Sequence, residues 1–234
     1  MINRRRALMA QNKPVSPYQH GTWDDLIWHL DAGDYATAYS LGETISLNLG
    51  TEGTIPMMVA KFNADVLESD ETVHSRVTMC ATKTVENSKT YGGTTSSGGK
   101  PNWSSSNVRT YCNGTLYNSI PQAVRSRIVS VKKYTKVCDA SDNLTNNYVT
   151  YDKVFIPSAY EASMGIESSG YQYTQAYGDA TKRTLTPPSS TTAVNWSTRS
   201  AYSASYYRSV GTSGSGSTKA PNASLRYPIC FCLY

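Results

Sequence analysis

Trp196-Ser-Thr-Arg199-Ser200-Ala-Tyr-Ser-Ala-Ser-Tyr-Tyr-Arg-Ser-Val210 begins a stretch that runs through a Gly/Ser tract, Asn222-Ala-Ser and Arg226-Tyr-Pro228 to the apolar run Ile229-Cys-Phe-Cys-Leu-Tyr234. Low-complexity Ser/Tyr/Gly sequence ordinarily frays or serves as a linker. Here a strand-like apolar sextet lies beyond it and has to be buried, so the tract is expected to be anchored at both ends and displayed as a loop. Tyr supplies a large amphipathic contact face with few rotors to freeze, while Ser, Gly and Asn supply adaptable hydrogen bonds. A displayed loop of this composition is suited to binding.

Working outward, the 234-residue chain has room for one sizeable core with a small accessory segment. Only 17% of its residues are charged and 18 are Tyr, a balance that fits a β-rich surface protein better than a helical enzyme. The net charge of +5 is dispersed, with clusters only at Arg4–Arg6 and Lys132-Lys133. No basic recognition helix or RNA-binding aromatic motif accompanies them, so nucleic acid is not an expected partner. The cysteines Cys80, Cys112, Cys138, Cys230 and Cys232 are odd in number and do not form a disulfide framework. The apolar stretch after Arg6 is too short for a signal peptide, and no other run approaches a membrane span, so synthesis in the cytoplasm without membrane insertion is expected.

Thr22 is placed to cap a helix carrying Trp23, Leu26, Ile27 and Leu30 at helical spacing, and Gly33 to end it. That helix reads either as a packing element or as an attachment or oligomerisation element. Thr44 to Leu49 alternates as a strand, and Ile55 to Phe62 is apolar enough for a central one. Ser88 to Lys100 reads as an exposed loop. Ser104 to Ser106 precede a helix through Val108, Tyr111 and Leu116, Pro121 opens a second over Gln122 to Ile128, and Val129–Val137 and Val149–Ile156 read as strands. The polar stretch Ser168–Ser190 shows little periodicity, and Ile229–Leu233 is expected to be a core strand.

Candidate chemistry is sparse. His20, His29 and His74 sit at no zinc-type spacing, and Asp65, Glu68, Asp70 and Glu71 before His74 read as a solvated acidic turn without the regular offsets of a calcium loop. Cys230-x-Cys232 puts both thiols on one side of a strand, where buried cysteine is usually inert. No catalytic residue, metal or cofactor is expected.

The run Trp196 to Cys232, with its Trp-x-x-Arg-Ser start, Val210-x-x-Ser-Gly214 and closing Asn-Ala-Ser, Pro and Phe-Cys, resembles the variable proteins of diversity-generating retroelements in gut phages and bacteria. Asn102-Trp103-Ser-x-Ser-x-Val-Arg109, Tyr111-Cys-Asn113-Gly114-Thr-Leu-Tyr117, Val131-Lys-Lys, Asp152-Lys-Val-Phe155-Ile-Pro157-Ser158 and Glu161 extend the resemblance over roughly residues 40–234. It implies an α+β, C-type-lectin-like fold of two helices beside a small antiparallel sheet, the fold shared with formylglycine-generating enzymes. It also implies a C-terminal variable region rewritten at template adenines. AAC codons randomised at both adenines never yield Lys, Glu, Gln, Met or Trp, and from Ala201 to Pro221 only Lys219 departs from that set.

The domain division expected is an N-terminal segment over 1–40 and a ligand-binding domain over 41–234, with the variable region near 196–232. Tyr202, Ala204, Ser205, Tyr206, Tyr207, Arg208, Ser209, Gly211, Ser217, Thr218 and Ala220 are the expected contact positions, and Trp196, Arg199, Val210 and Phe231 the scaffold. The implied role is a phage tail or virion protein, or alternatively one on a bacterial surface, that recognises a host-cell surface protein or glycan. Its other partners would be virion proteins or further copies of itself. A virion decoration protein with fixed contacts and a formylglycine-generating-like enzyme are the alternatives.

Overall fold

Thr22 and Gly33 bracket the first helix as their chemistry predicts. In the computed structural model, which describes residues 15–92, 100–139, 141–165 and 172–234, the Thr22 side chain accepts from the Asp25 backbone N–H, and Gly33 adopts the left-handed conformation that ends helices. This helix, α1 (Trp23–Ala32), buries Leu26 and Leu30 in the same hydrophobic core as Phe231 and Leu233. The Trp23 ring lies 6.1 Å from that of Phe231, and its indole N–H donates to the Ser46 carbonyl at 2.8 Å. A short turn, α2 (Tyr35–Ala38), follows. Residues 1–14, with the Arg4–Arg6 cluster, lie outside the described residues, as do parts of the Ser88–Lys100 and Ser168–Ser190 stretches.

The strands in chain order are β1 (Thr44–Asn48), β2 (Thr54–Phe62), β3 (Val77–Ala81), β4 (Lys89–Thr90), β5 (Ile128–Val129), β6 (Val131–Cys138), β7 (Leu144–Asp152), β8 (Val154–Phe155), β9 (Trp196–Ser203), β10 (Tyr206–Val210), β11 (Gly216–Lys219), β12 (Ser224–Leu225) and β13 (Cys230–Leu233). The architecture is α+β with antiparallel strand pairing, but with more sheets than the single small one expected. A six-stranded sheet in the order β1-β2-β3-β13-β5, with β8 also on β13, stands beside a three-stranded sheet β11-β10-β9 and the ribbons β12-β4 and β6-β7. β1 alternates exposed and buried residues, and β13 is buried along its whole length because it pairs with β3, β5 and β8.

Between β4 and β5, α3 (Asn107–Tyr111) continues through a π-turn (Cys112–Leu116) into α4 (Tyr117–Ser119). The π-turn forms where the Asn113 carboxamide bonds outward, donating to the carbonyls of Arg109 and Val154 and accepting from the Lys153 N–H. The next helix, α5 (Gln122–Arg125), stops short of the expected Ile128, which instead enters β5 and pairs with Leu233. Two further turns, α6 (Thr174–Tyr177) and α7 (Ala180–Arg183), occupy the polar stretch expected to lack periodicity. No helix among the described residues is long and apolar enough to cross a membrane.

Candidate ligand-binding face

The Tyr/Ser tract is a three-stranded antiparallel meander and not the loop its composition suggests, because strand alternation gives the tract a buried side. Within β10, Tyr207 and Ser209 are fully buried while Tyr206 is 47% exposed. Tyr207 stacks on Tyr91 with ring centroids 4.5 Å apart and planes 13° from parallel, and the Tyr91 hydroxyl donates to the Arg199 carbonyl at 2.5 Å. Tyr207 and Ser209, expected as contact positions, are therefore core residues. Adjacent strand residues point to opposite faces, which is the signal in the sequence that separates Tyr206 from Tyr207.

The register of β9 on β10 shifts between the Tyr206–Ser203 and Tyr207–Ala201 pairs and again before Ser209–Ser197. Bulges of this kind re-aim side chains. Tyr202, at the first shift, is 47% exposed, and the Arg208 guanidinium lies over its ring, 5.4 Å from the centroid. Arg208 opposes Thr218 on β11, so Tyr202, Tyr206, Arg208 and Thr218 share the outward face. The guanidinium crosses Gly216, where a Cβ would overlap it. Ala204 and Ser205 form the turn joining β9 to β10, Ser217 lies opposite Ser209, and Gly211 and Ala220 flank the sheet rather than its face.

The far end of the meander is pinned to the body. Gly214 has a φ of +74°, and its Cα sits so close to the Ala180 carbonyl that any side chain would collide with it. The Arg183 Nε donates to the Gly214 carbonyl at 2.9 Å.

Beneath the face, the expected scaffold residues Trp196, Arg199, Val210 and Phe231 are all buried. Every nitrogen of the Arg199 guanidinium is engaged. Nε donates to Thr135 Oγ1 at 2.8 Å, Nη1 to the Ile156 carbonyl at 2.6 Å and to Glu161, and Nη2 to Glu161 Oε1 at 2.8 Å. The Lys133 ammonium lies 2.7 Å from both Glu161 and Asp65, and it donates to the Tyr173 hydroxyl at the same distance. Asp65, expected in a solvated acidic turn, is thus a buried ion-pair partner. Burial pushes the Glu161 carboxyl up, but Arg199 and Lys133 outweigh it and hold the group below the usual carboxylate range. Burial acts the same way on Asp65, and Lys133 reverses it. This quartet went unseen in the sequence because its members are scattered from Asp65 to Arg199, the one hint being an arginine that must be buried between Ser and Thr neighbours.

The thiols lie in the core. Cys230 and Cys80 oppose each other across β13 and β3 with sulfurs 3.0 Å apart, and Cys232 donates toward Asp65 at 3.3 Å. Burial pushes the Cys80 and Cys232 thiols well above their ordinary range, which suppresses the thiolate. Elsewhere, an open groove of about 310 Å³ is lined by Arg109, Asn113, Tyr117, Tyr151 and Lys153. Its Arg109 is committed to Asp152 and to the carbonyls of Ser104 and Tyr151. Among the described residues no cluster of His, Cys, Asp and Glu is arranged to hold a metal ion.

No curated protein and no solved structure matches the chain. A family model described as a domain of unknown function, DUF6273, matches residues 70–233, which include Lys133, Glu161 and Arg199 but not Asp65 and run through the meander to β13, and the chain belongs to that family.

Proposed function

We propose that this protein is a ligand-binding display protein of the diversity-generating-retroelement kind, with a C-type-lectin-like fold, whose meander β9–β11 recognises a receptor on a host-cell surface. The observation that carries this reading is the division of the tract into two sides. Tyr202, Tyr206, Arg208 and Thr218 face outward, while Trp196, Arg199, Tyr207 and Val210 hold the same strands to the core. A surface that varies while the fold persists requires this separation. Display on a phage tail, with other virion proteins as structural partners, would multiply weak single contacts by avidity of about 10²–10⁴. A formylglycine-generating-like chemistry finds no support in Cys230 and Cys232, which are both fully buried.

The test is a library randomised at Tyr202, Ala204, Ser205, Tyr206, Arg208 and Thr218 with Tyr207, Ser209 and its cross-strand partner Ser217 fixed, sorted separately for soluble expression and for cell binding. Retained solubility with altered cell preference is expected. Uniform loss of soluble protein defeats the reading, and retained folding with loss of particle assembly makes the face a fixed virion contact. A neighbouring reverse transcriptase with a template repeat differing from the codons of residues 196–232 only at adenines is the genomic counterpart.

A further inference from the structure

Residues 180–234 contain no aspartate or glutamate, although Lys182, Arg183, Arg199, Arg208, Lys219 and Arg226 all lie there. Four of these cations are satisfied from within the fold. Arg199 pairs with Glu161 and Arg226 with Glu86. Lys182 donates to the Thr174 carbonyl, and Arg183 to the carbonyls of Gly214, Ala162 and Tyr177. Among the described residues, no carboxylate pairs with Arg208 or Lys219. Arg208 is also fixed in place. Its guanidinium lies over the Tyr202 ring and across Gly216, and its Nε is shielded from water with no acceptor. A guanidinium held this way loses little freedom when a planar, two-oxygen acceptor arrives.

On the display-face reading above, we infer that the partner is a protein presenting an acidic segment, with an Asp or Glu carboxylate seated on Arg208 between Tyr202 and Tyr206. The charge complement follows from a cationic face without a carboxylate of its own. The protein class follows from the residue types and their setting. Two half-exposed tyrosines and an arginine on a sheet surface are the anchors that dominate protein–protein contacts, whereas small ligands and sugars favour concave sites. Two open grooves among the described residues, at Arg109–Lys153 and at Trp28–Arg127, are lined by residues outside the meander.

The experiment is selection of a random peptide display library on the immobilised full chain, as wild type and as Arg208→Ala, Arg208→Glu, Arg208→Lys and the Tyr202→Ala/Tyr206→Ala pair. Each variant is first checked for an unchanged melting curve. Arg208→Glu, which removes the cation, stands in if Arg208→Ala does not fold, and Arg208→Lys, which keeps the charge, is expected to retain the acidic enrichment. Wild-type pools are expected to be enriched in Asp and Glu, and a selected peptide is expected to bind about tenfold or more weakly to Arg208→Ala, a loss of hot-spot size. Arg208→Glu is expected to invert the enrichment toward Lys and Arg, and added salt to weaken wild-type binding. Pools that depend on both tyrosines but show no acidic excess overturn the inference and leave the display face standing. Pools indifferent to every substitution overturn the display face itself. An Arg208-dependent preference for sialylated glycans over any acidic peptide makes the partner a glycan and likewise overturns the inference.

Discussion

Tyr206 and Tyr207 are sequence neighbours with opposite fates, and their substitutions are expected to separate accordingly. Replacing half-exposed Tyr206 by Ser is expected to move stability within about ±0.5 kcal/mol, the range for surface sites. Replacing Tyr207, stacked on Tyr91 in the core, is expected to cost about 3–5 kcal/mol, as for large buried aromatics. Urea denaturation of the two variants reads both. The buried quartet supplies a second expectation. Asp65 and Glu161 are held below their ordinary range in the fold, so their contribution is present above the unfolded pKa of about 4 and is lost as pH falls through the lower folded values. Lys133 is raised, Asp65 and Glu161 outweighing burial, so its contribution is intact below its ordinary range and lost only in strong alkali. Melting temperature followed from neutral pH downward is expected to fall below about pH 4, and Glu161→Gln to flatten that fall. Truncating Glu161 to Ala is expected to cost about 3–5 kcal/mol, because it leaves buried cations unpaired.

At the scale of elements, local chemistry was legible and long-range chemistry was not. The caps of α1, the alternation of β1 and the apolar run of β13 are read from neighbouring residues, and each falls where its pattern puts it. The meander reads as a loop because its Ser, Gly and Tyr show no hydrophobic alternation, and what makes it a sheet is Tyr91, Arg199 and the docking of Gly214 on α7, all set by tertiary contact. Composition alone groups all the expected contact positions together, and separating buried Tyr207 and Ser209 from exposed Tyr206 needs the strand's period. Gly214→Ala is expected to destabilise the protein by about 1–3 kcal/mol, the usual cost of forcing atoms into a packed site, and to loosen the turn Gly211–Ser215. Amide exchange at Gly211 and Gly214, whose N–H groups bond to the Ser215 and Gly211 carbonyls, checks it. Phe231→Ala is expected to cost about 3–5 kcal/mol and to lower the whole melting transition, since its ring sits in the core against Trp23.

For the molecule as a whole, all five cysteines are buried and free. Alkylation by iodoacetamide is therefore expected to proceed no faster than unfolding in native buffer and to reach every thiol in denaturant, as mass spectrometry will show. A thiol that reacts at once in the native protein contradicts its burial. The position of β13 reaches further. Its residues 230–233 pair with residues 77–80 across most of the chain, and they also close onto β5 and β8. On the ribosome, β3 and β8 emerge long before the strand that completes them, so the nascent chain carries open sheet edges until β13 is released. A sheet of such high contact order folds slowly, on the order of milliseconds to seconds, and those waiting edges invite pairing with other chains. If the meander varies as proposed, its variation lies just upstream of the strand that completes the fold, where a poorly tolerated sequence would reveal itself first as aggregation during synthesis and only afterwards as failed recognition.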